Sequence, residues 1–143
     1  MAMLAWVKRL GFTMQMQAER RWERFHGTTL RGKRLGIIGL GAIGRELGRS
    51  ARALGMTVDG VKTTLPVDVQ AEELNVDRLW AIDRLGRLLP ELDFVVACLP
   101  LTPRTRMLIG AAEFASMRPS AYFINIGRGA TIDEEALIRA LEE

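Results

Sequence analysis

Apolar residues fall along this chain in short blocks, and the polar stretches between them carry apolar positions at helical spacing. The blocks predict strands at Leu35–Ile38, at Met56–Val61 (where Val58 and Val61 are the apolar anchors), at Leu79–Ile82, at Phe94–Leu99 and at Tyr122–Ile126. Between them, Leu47, Ala51 and Leu54 predict a helix over Arg45–Leu54, which Gly55 caps. Asp83 is placed as an N-cap for a helix over Arg84–Leu92. Pro66 opens a polar connection through Asn75, and Pro100 ends its strand. Thr102–Met117 carries a turn and a helix, with Pro119 after it. Asp133 caps a last helix over Glu134–Glu143, whose first-turn acids Glu134 and Glu135 suit the helix dipole. Ahead of the first strand, Met1–Phe25 reads as one long helix. Its stripe is Leu4, Val7, Leu10 or Gly11, Met14 and Ala18, and it ends near His26-Gly27.

Strands alternating with helices predict an α/β domain. It is a doubly wound parallel sheet of the Rossmann-like dinucleotide-binding kind, with an extra N-terminal helix. Residues 1–27 are expected to form an inter-domain or dimerisation helix, and residues 28–143 the dinucleotide-binding unit. The Met-rich stripe of the first helix is open to two coverings: its own domain, or another domain or subunit.

The chemistry concentrates where the first strand ends. Gly39-Leu40-Gly41-Ala42-Ile43-Gly44 is a G-x-G-x-x-G between a strand and a helix, the context that gives this otherwise weak motif its meaning. Gly39 permits the tight turn, Gly41 lets a pyrophosphate approach the backbone, and Gly44 lets helix and strand pack closely. The free N–H groups and positive dipole end of the following helix suit a diphosphate. Ligands on such sheets bind beyond the carboxyl ends of the strands. Gly39–Gly44, Lys62, Leu99–Pro100 and Ile126–Gly129 all fall there.

Composition removes other classes. The 143 residues are 48% hydrophobic and 26% charged, ordinary for a globular domain, and the net charge of +3 comes without a run of like charges. No nucleic-acid partner is expected. No apolar window reaches the length of a membrane span, and Lys8 and Arg9 follow the apolar start instead of preceding it as in a signal peptide. A single cysteine, Cys98, excludes an internal disulfide and suits a reducing, cytoplasmic setting. Lying in an apolar strand, it is expected to be a buried core thiol. His26, the one histidine, is expected to be solvated, and no metal site is expected.

On these residues the chain resembles the cofactor-binding domain of the D-isomer-specific 2-hydroxyacid dehydrogenases. The matching pieces are Trp22, G-K-R-L-G-I-I-G-L-G-A-I-G at Gly32–Gly44, A-L-G-M at Ala53–Met56 and L-L-P-E-L-D-F-V-V at Leu88–Val96. They continue with L-P-L-T-P-R-T at Leu99–Thr105, I-N-I-G-R-G-A at Ile124–Ala130 and D-E-E-A-L-I-R-A-L at Asp133–Leu141. The resemblance implies that Ala42 and Ile43 offer N–H groups to the pyrophosphate. Leu99, Pro100 and Thr105 would line the adenosine and ribose side, and Ile126 and Gly127 the nicotinamide end. Arg128 would be the catalytic arginine, holding the carboxylate of a small 2-oxo or 2-hydroxy acid and polarising its carbonyl. A guanidinium is a permanently charged planar fork that matches a carboxylate, although Arg128 could instead pair with a local acid. A homodimer is the expected assembly.

Three departures qualify the resemblance. Where NAD-specific members place an acid for the ribose 2′-hydroxyl, this chain has Lys62, then Thr63 and Thr64, which suit a 2′-phosphate and favour NADP(H) over NAD(H). The counter-candidate is Asp59, about 20 residues after Gly39, which requires a shorter second strand or else simply faces solvent. The family's acid/base histidine, its partner carboxylate and a nicotinamide-contacting aspartate lie beyond the last helix. Most of its substrate domain precedes the first. The chain therefore reads as a piece of an oxidoreductase that interconverts 2-oxo and D-2-hydroxy acids, expected to be inactive alone. The alternative is a non-catalytic dinucleotide-binding or dimerising module, corepressor-like or a remnant.

Overall fold

The computed structural model describes residues 1–65 and 69–142. Five strands form one parallel sheet in the order β3-β2-β1-β4-β5. They are β1 (Arg34–Ile38), β2 (Thr57–Lys62), β3 (Arg78–Ala81), β4 (Phe94–Ala97) and β5 (Tyr122–Asn125). The helices are α1 (Ala2–Val7), α2 (Leu10–Ala18), α3 (Ala42–Ala53), α4 (Leu85–Leu88), α5 (Ala111–Ser116) and α6 (Glu134–Glu142). Each predicted strand exists with its ends moved by a residue or two, which sets Cys98 just past β4. Pro66 and the Glu143 end of the last helix lie outside the described residues.

The central strands β2, β1 and β4 are buried on both faces, as in a parallel sheet covered by helices, and the edge strands β3 and β5 are partly exposed. Alternation along each strand divides the core in two. Leu35, Ile37, Val58, Phe94 and Val96 pack with Met3, Val7, Leu40, Ala51 and Val76 on one face. Ile38, Val61, Val95 and Ala97 pack with Leu85, Leu88, Leu92, Ile109, Phe114 and Ala136 on the other. Helix α3 turns Gly44, Gly48 and Ala51 to the sheet, whereas Leu54, expected on its apolar stripe, is exposed. Small residues win that face because the helix rides against backbone: a Cβ on Gly44 would collide with the Gly39 carbonyl oxygen.

Two expected helices are corrected. Met1–Phe25 is not continuous. It breaks after α1 where Arg9 takes a left-handed conformation (φ 50°), and it leaves helix for good after Ala18. The returning segment sets the rings of Phe12 and Phe25 edge to face at 5.4 Å, with the Arg9 guanidinium 4.6 Å above Phe12. The Thr28 N–H reaches the Val7 carbonyl at 2.9 Å. A straight helix would hold residues 12 and 25 about 20 Å apart, so the aromatic contact requires the fold-back. The stripe moves accordingly: Met3, Val7 and Met16 are buried, while Leu4, Leu10 and Met14 are exposed. Arg84–Leu92 also fails as one helix. A tight 3-10 turn at Ile82–Arg84 contains Asp83, which makes no cap hydrogen bond. The four residues of α4 follow, then a second such turn at Leu89–Glu91. Pro90 has no N–H for a helical bond, which ends the run. Asp133 does cap as expected, its Oδ1 accepting from the Ala136 N–H at 3.0 Å.

Candidate cofactor site

The strand order reverses direction at β1, with β2 on one side and β4 on the other, and the crevice beyond their carboxyl ends is where such sheets bind ligands. The glycine turn occupies it. Gly39 has φ +104°, a value an L side chain rarely adopts, and a Cβ there would lie 2.9 Å from the Cys98 carbonyl oxygen just past β4. Gly41, in extended conformation, is the N-cap of α3, and the direction a Cβ would take from it opens into free space. Ala42, Ile43 and Gly44 form the first turn of the 12-residue helix α3, which has no acidic residue and no side-chain cap there. Its opening N–H groups therefore lack intrahelical acceptors and suit an anion. These are the features a pyrophosphate cradle needs: an exposed backbone donor set, a gap where a side chain would stand, and a helix dipole behind it.

The loops after β4 and β5 close the crevice. Ile43, Cys98, Leu99, Pro100, Leu101, Ile126, Gly127 and Arg128 line a cleft of about 470 Å³, within the size range of small-molecule sites. The two loops are in direct backbone contact, since a Cβ on Gly127 would lie 2.6 Å from the Leu99 carbonyl oxygen. Ile43, Leu101 and Ile126 expose apolar surface around the cleft, and Arg128 is exposed beside them. Arg128 makes no ion pair among the described residues. Neither histidine nor carboxylate lines this cleft among the described residues.

Three residues, Thr105, Asp59 and Cys98, sit differently from the sequence expectation, while Lys62 ends its strand as expected. Thr105 is buried and spends its hydroxyl within its own loop, donating to the Pro100 carbonyl at 2.6 Å and accepting from the Thr102 N–H at 2.8 Å. What it offers the site is therefore the shape of the Leu99–Thr105 loop. Asp59 neither faces solvent nor lies at a strand end. It is fully buried in mid-β2 and is held by Arg34 Nε at 2.9 Å, Trp80 Nε1 at 2.8 Å and Arg78 Nε at 3.1 Å. Fully buried and ion-paired across the sheet, it is a structural charge out of reach of a ribose. Lys62 ends β2, half-buried, with exposed Thr63 beyond it. Cys98 is half-buried on the cleft wall, and burial pushes its thiol up to about 11.

Another cavity, about 620 Å³, is at the other end of the sheet, among Trp6, Arg9, His26, Lys33, Asp93 and Tyr122. Lys33 and Asp93 immediately precede β1 and β4, so this cavity and the exposed His26 are remote from the glycine turn. Asn125 was missed in sequence. It sits between strand and glycine turn with its side chain bonded across the loop, and the Asn-x-Gly spacing is its one sequence signal. Among the described residues no helix is long and apolar enough to cross a membrane, and no three potential metal ligands cluster.

Fold and site together define a dinucleotide-binding α/β domain. The chain belongs to the D-isomer specific 2-hydroxyacid dehydrogenases and matches the model of their NAD binding domain over residues 1–143. It is 41% identical over 121 residues to D-3-phosphoglycerate dehydrogenase of Methanocaldococcus jannaschii, covering 85% of this chain and 22% of that protein. It is 43% identical over 119 residues to glyoxylate/hydroxypyruvate reductase B of Shigella boydii, covering 83% of this chain and 36% of that one. A D-isomer specific 2-hydroxyacid dehydrogenase of Xanthobacter autotrophicus Py2, solved with NADPH and MES, superposes with a TM-score of 0.84 at 32% identity, over 98% of this chain and 43% of the other. The chain thus spans 22%, 36% and 43% of the length of these three proteins.

Proposed function

We propose that this chain is the cofactor-binding part of an enzyme that interconverts a 2-oxo acid and a D-2-hydroxy acid, and that it binds NADP(H) in preference to NAD(H). The observation that carries the reading is the joining of three independent segments in one cleft: the N-terminus of α3, the loop after β4, and the loop after β5 that presents Arg128. When bound, the nicotinamide cofactor supplies or accepts the hydride. The N–H groups of Ala42 and Ile43 would hold its pyrophosphate, with Gly39, Gly41 and Gly44 making the room. Leu99 and Pro100 would form the wall beside the adenosine and ribose, and Ile126 and Gly127 the nicotinamide end. Lys62 and Thr63 would receive the 2′-phosphate, and the loss of Asp59 as a competitor supports that assignment. Arg128 would bind the substrate carboxylate and draw electron density from the neighbouring carbonyl.

Reduction of a carbonyl also needs a proton donor. No histidine or carboxylate reaches the cleft among the described residues, so the chain by itself is expected to bind cofactor without turning over. The exposed Trp6, Met14 and Trp22 on the N-terminal segment support a homodimer or an inter-domain contact there. The reading carries no role for nucleic acid or membrane and places the protein in the cytoplasm.

The test is a fluorescence and calorimetric titration of the protein with NADPH and with NADH. NADPH is expected to bind at least about tenfold more tightly, and Lys62→Glu to remove that margin, since one charge-assisted phosphate contact contributes about 1.5–3 kcal/mol. Tighter NADH binding would end the Lys62 assignment. Cofactor binding with no turnover of any 2-oxo acid by the full-length protein would favour the non-catalytic binding module instead.

A further inference from the structure

We propose that Asn125 and Thr131 are positioning residues for Arg128: together they clamp the backbone from which the guanidinium is presented to a substrate carboxylate. This rests on the reading of Arg128 given above. The carbonyl of Arg128 receives three donors, Thr131 Oγ1 at 2.6 Å, Thr131 N–H at 3.0 Å and Asn125 Nδ2 at 3.2 Å. The other end of the Asn125 amide accepts from the Gly127 N–H at 2.9 Å. That contact fixes the amide's orientation, because a backbone N–H can only donate and so must face the oxygen. Asn125 therefore bridges the residue before Arg128 and Arg128 itself.

The clamp is anchored on both sides. Thr131 is fully buried, and its own carbonyl accepts from the Ile109 N–H at 3.3 Å, alongside Met107 N–H to Ala130 at 3.0 Å. Asn125 is the last residue of β5, and Gly127 packs on the Leu99 backbone. Arg128 is thus held between a strand end and a buried hydroxyl, with only its side chain in the open. An arginine side chain has many rotamers, so a fixed Cα–Cβ direction is what restricts the volume its guanidinium samples. Thr131 directly precedes Ile132, which bridges Ile109 in the core, and its hydroxyl bonds to the Arg128 carbonyl. A buried hydroxyl aimed at the carbonyl of Arg128, the one cation lining the cleft among the described residues, is more economically explained by presentation than by packing.

The experiment is a double-mutant cycle in the full-length protein, with glyoxylate as the probe acid and hydroxypyruvate as a second one. Cofactor Kd and oxamate binding are measured beside kcat and KM. Thr131→Val is expected to lower kcat/KM about 10- to 100-fold, the loss typical of a displaced catalytic group. Oxamate should weaken in parallel, cofactor Kd should stay within about twofold, and Thr131→Ser should restore the rate. In an Arg128→Ala background, Thr131→Val is expected to have no further effect. Asn125→Asp keeps the acceptor for Gly127 and loses the donor to Arg128. It sits at a half-exposed site and gives the same readout if Thr131→Val does not fold. A large loss from Arg128→Ala with none from Thr131→Val or Asn125→Asp overturns the clamp and leaves Arg128 in its role. Losses that add fully in the cycle make the two residues merely structural and also overturn it. No loss from Arg128→Ala ends both readings.

Discussion

Cys98 shows how a single position changes meaning between sequence and structure. In sequence it belongs to an apolar block and reads as core. In the fold it lies one residue past β4 and shares the cleft wall with Leu99 and Pro100. Its thiol is raised from 9.0 to about 11 by burial, so the folded state prefers the neutral form. The folded chain then holds the proton more tightly than the unfolded one. Any stability Cys98 contributes is complete below pH 9.0 and declines as the pH rises toward about 11. Cys98→Ala is expected to flatten that decline in chemical denaturation curves taken between those values. At pH 8 the wild-type thiol should react with a disulfide reagent far more slowly than a free cysteine, and a rate equal to that of the free thiol would contradict the assignment. Asp59 carries the same lesson in reverse. A position that reads as a ribose ligand or as surface is a carboxylate with no solvent access, which only Arg34, Arg78 and Trp80 make tolerable. Those partners come from β1 and β3, and no spacing within β2 announces them.

At the level of elements, the best-read part is the unit from Arg34 to Ala53. Its strand, turn and helix follow local rules: an apolar block, a glycine where φ is positive, and a helix whose sheet face is made of small residues. The closest tolerance is at Gly44, where a Cβ would run into the carbonyl of Gly39. Gly44→Ala is expected to push α3 away from β1, costing about 1–3 kcal/mol in unfolding experiments. Cofactor binding should weaken with it, because the displaced N–H groups are those of the cradle. Unchanged stability and unchanged cofactor affinity would show that the helix is free to shift. The N-terminal segment was poorly read for the opposite reason. Its apolar spacing is compatible with one helix, and the break at Arg9 is decided by Phe12 meeting Phe25 and by α1 docking Met3 and Val7 into the sheet-side core. Those contacts join residues far apart in sequence, and they outweigh helical propensity.

For the whole molecule, the apolar surface that remains exposed is unevenly placed. Trp22 is 90% exposed, and Trp6 and Met14 also stand out on the N-terminal segment, with Trp6 near the end of the sheet opposite the cleft. If that surface carries the proposed homodimer, sedimentation velocity should give a dimer whose population falls with Trp22→Glu while cofactor affinity is retained. A monomer for both proteins would remove the dimer and leave the inter-domain contact. Such a division, with association at one end of the sheet and ligand at the other, keeps the rim loops free to meet cofactor and substrate.

By itself the sequence determined the number of strands, their places along the chain, the parallel sheet and the glycine turn between strand and helix. Periodicity, turn residues and helix caps act over a few neighbours and are written in consecutive positions. The family resemblance singles out Arg128, which lies exposed between two glycines past a strand end, for the proposed substrate role. Only the tertiary structure decided which side chains reach the cleft and which are spent elsewhere. Thr105 turned its hydroxyl inward, Asp59 was consumed by ion pairs across the sheet, and Asn125 and Thr131 met at one carbonyl. Hydrogen bonds and buried charges are satisfied by whatever partner the fold brings near, and these partners converge only once distant segments have packed.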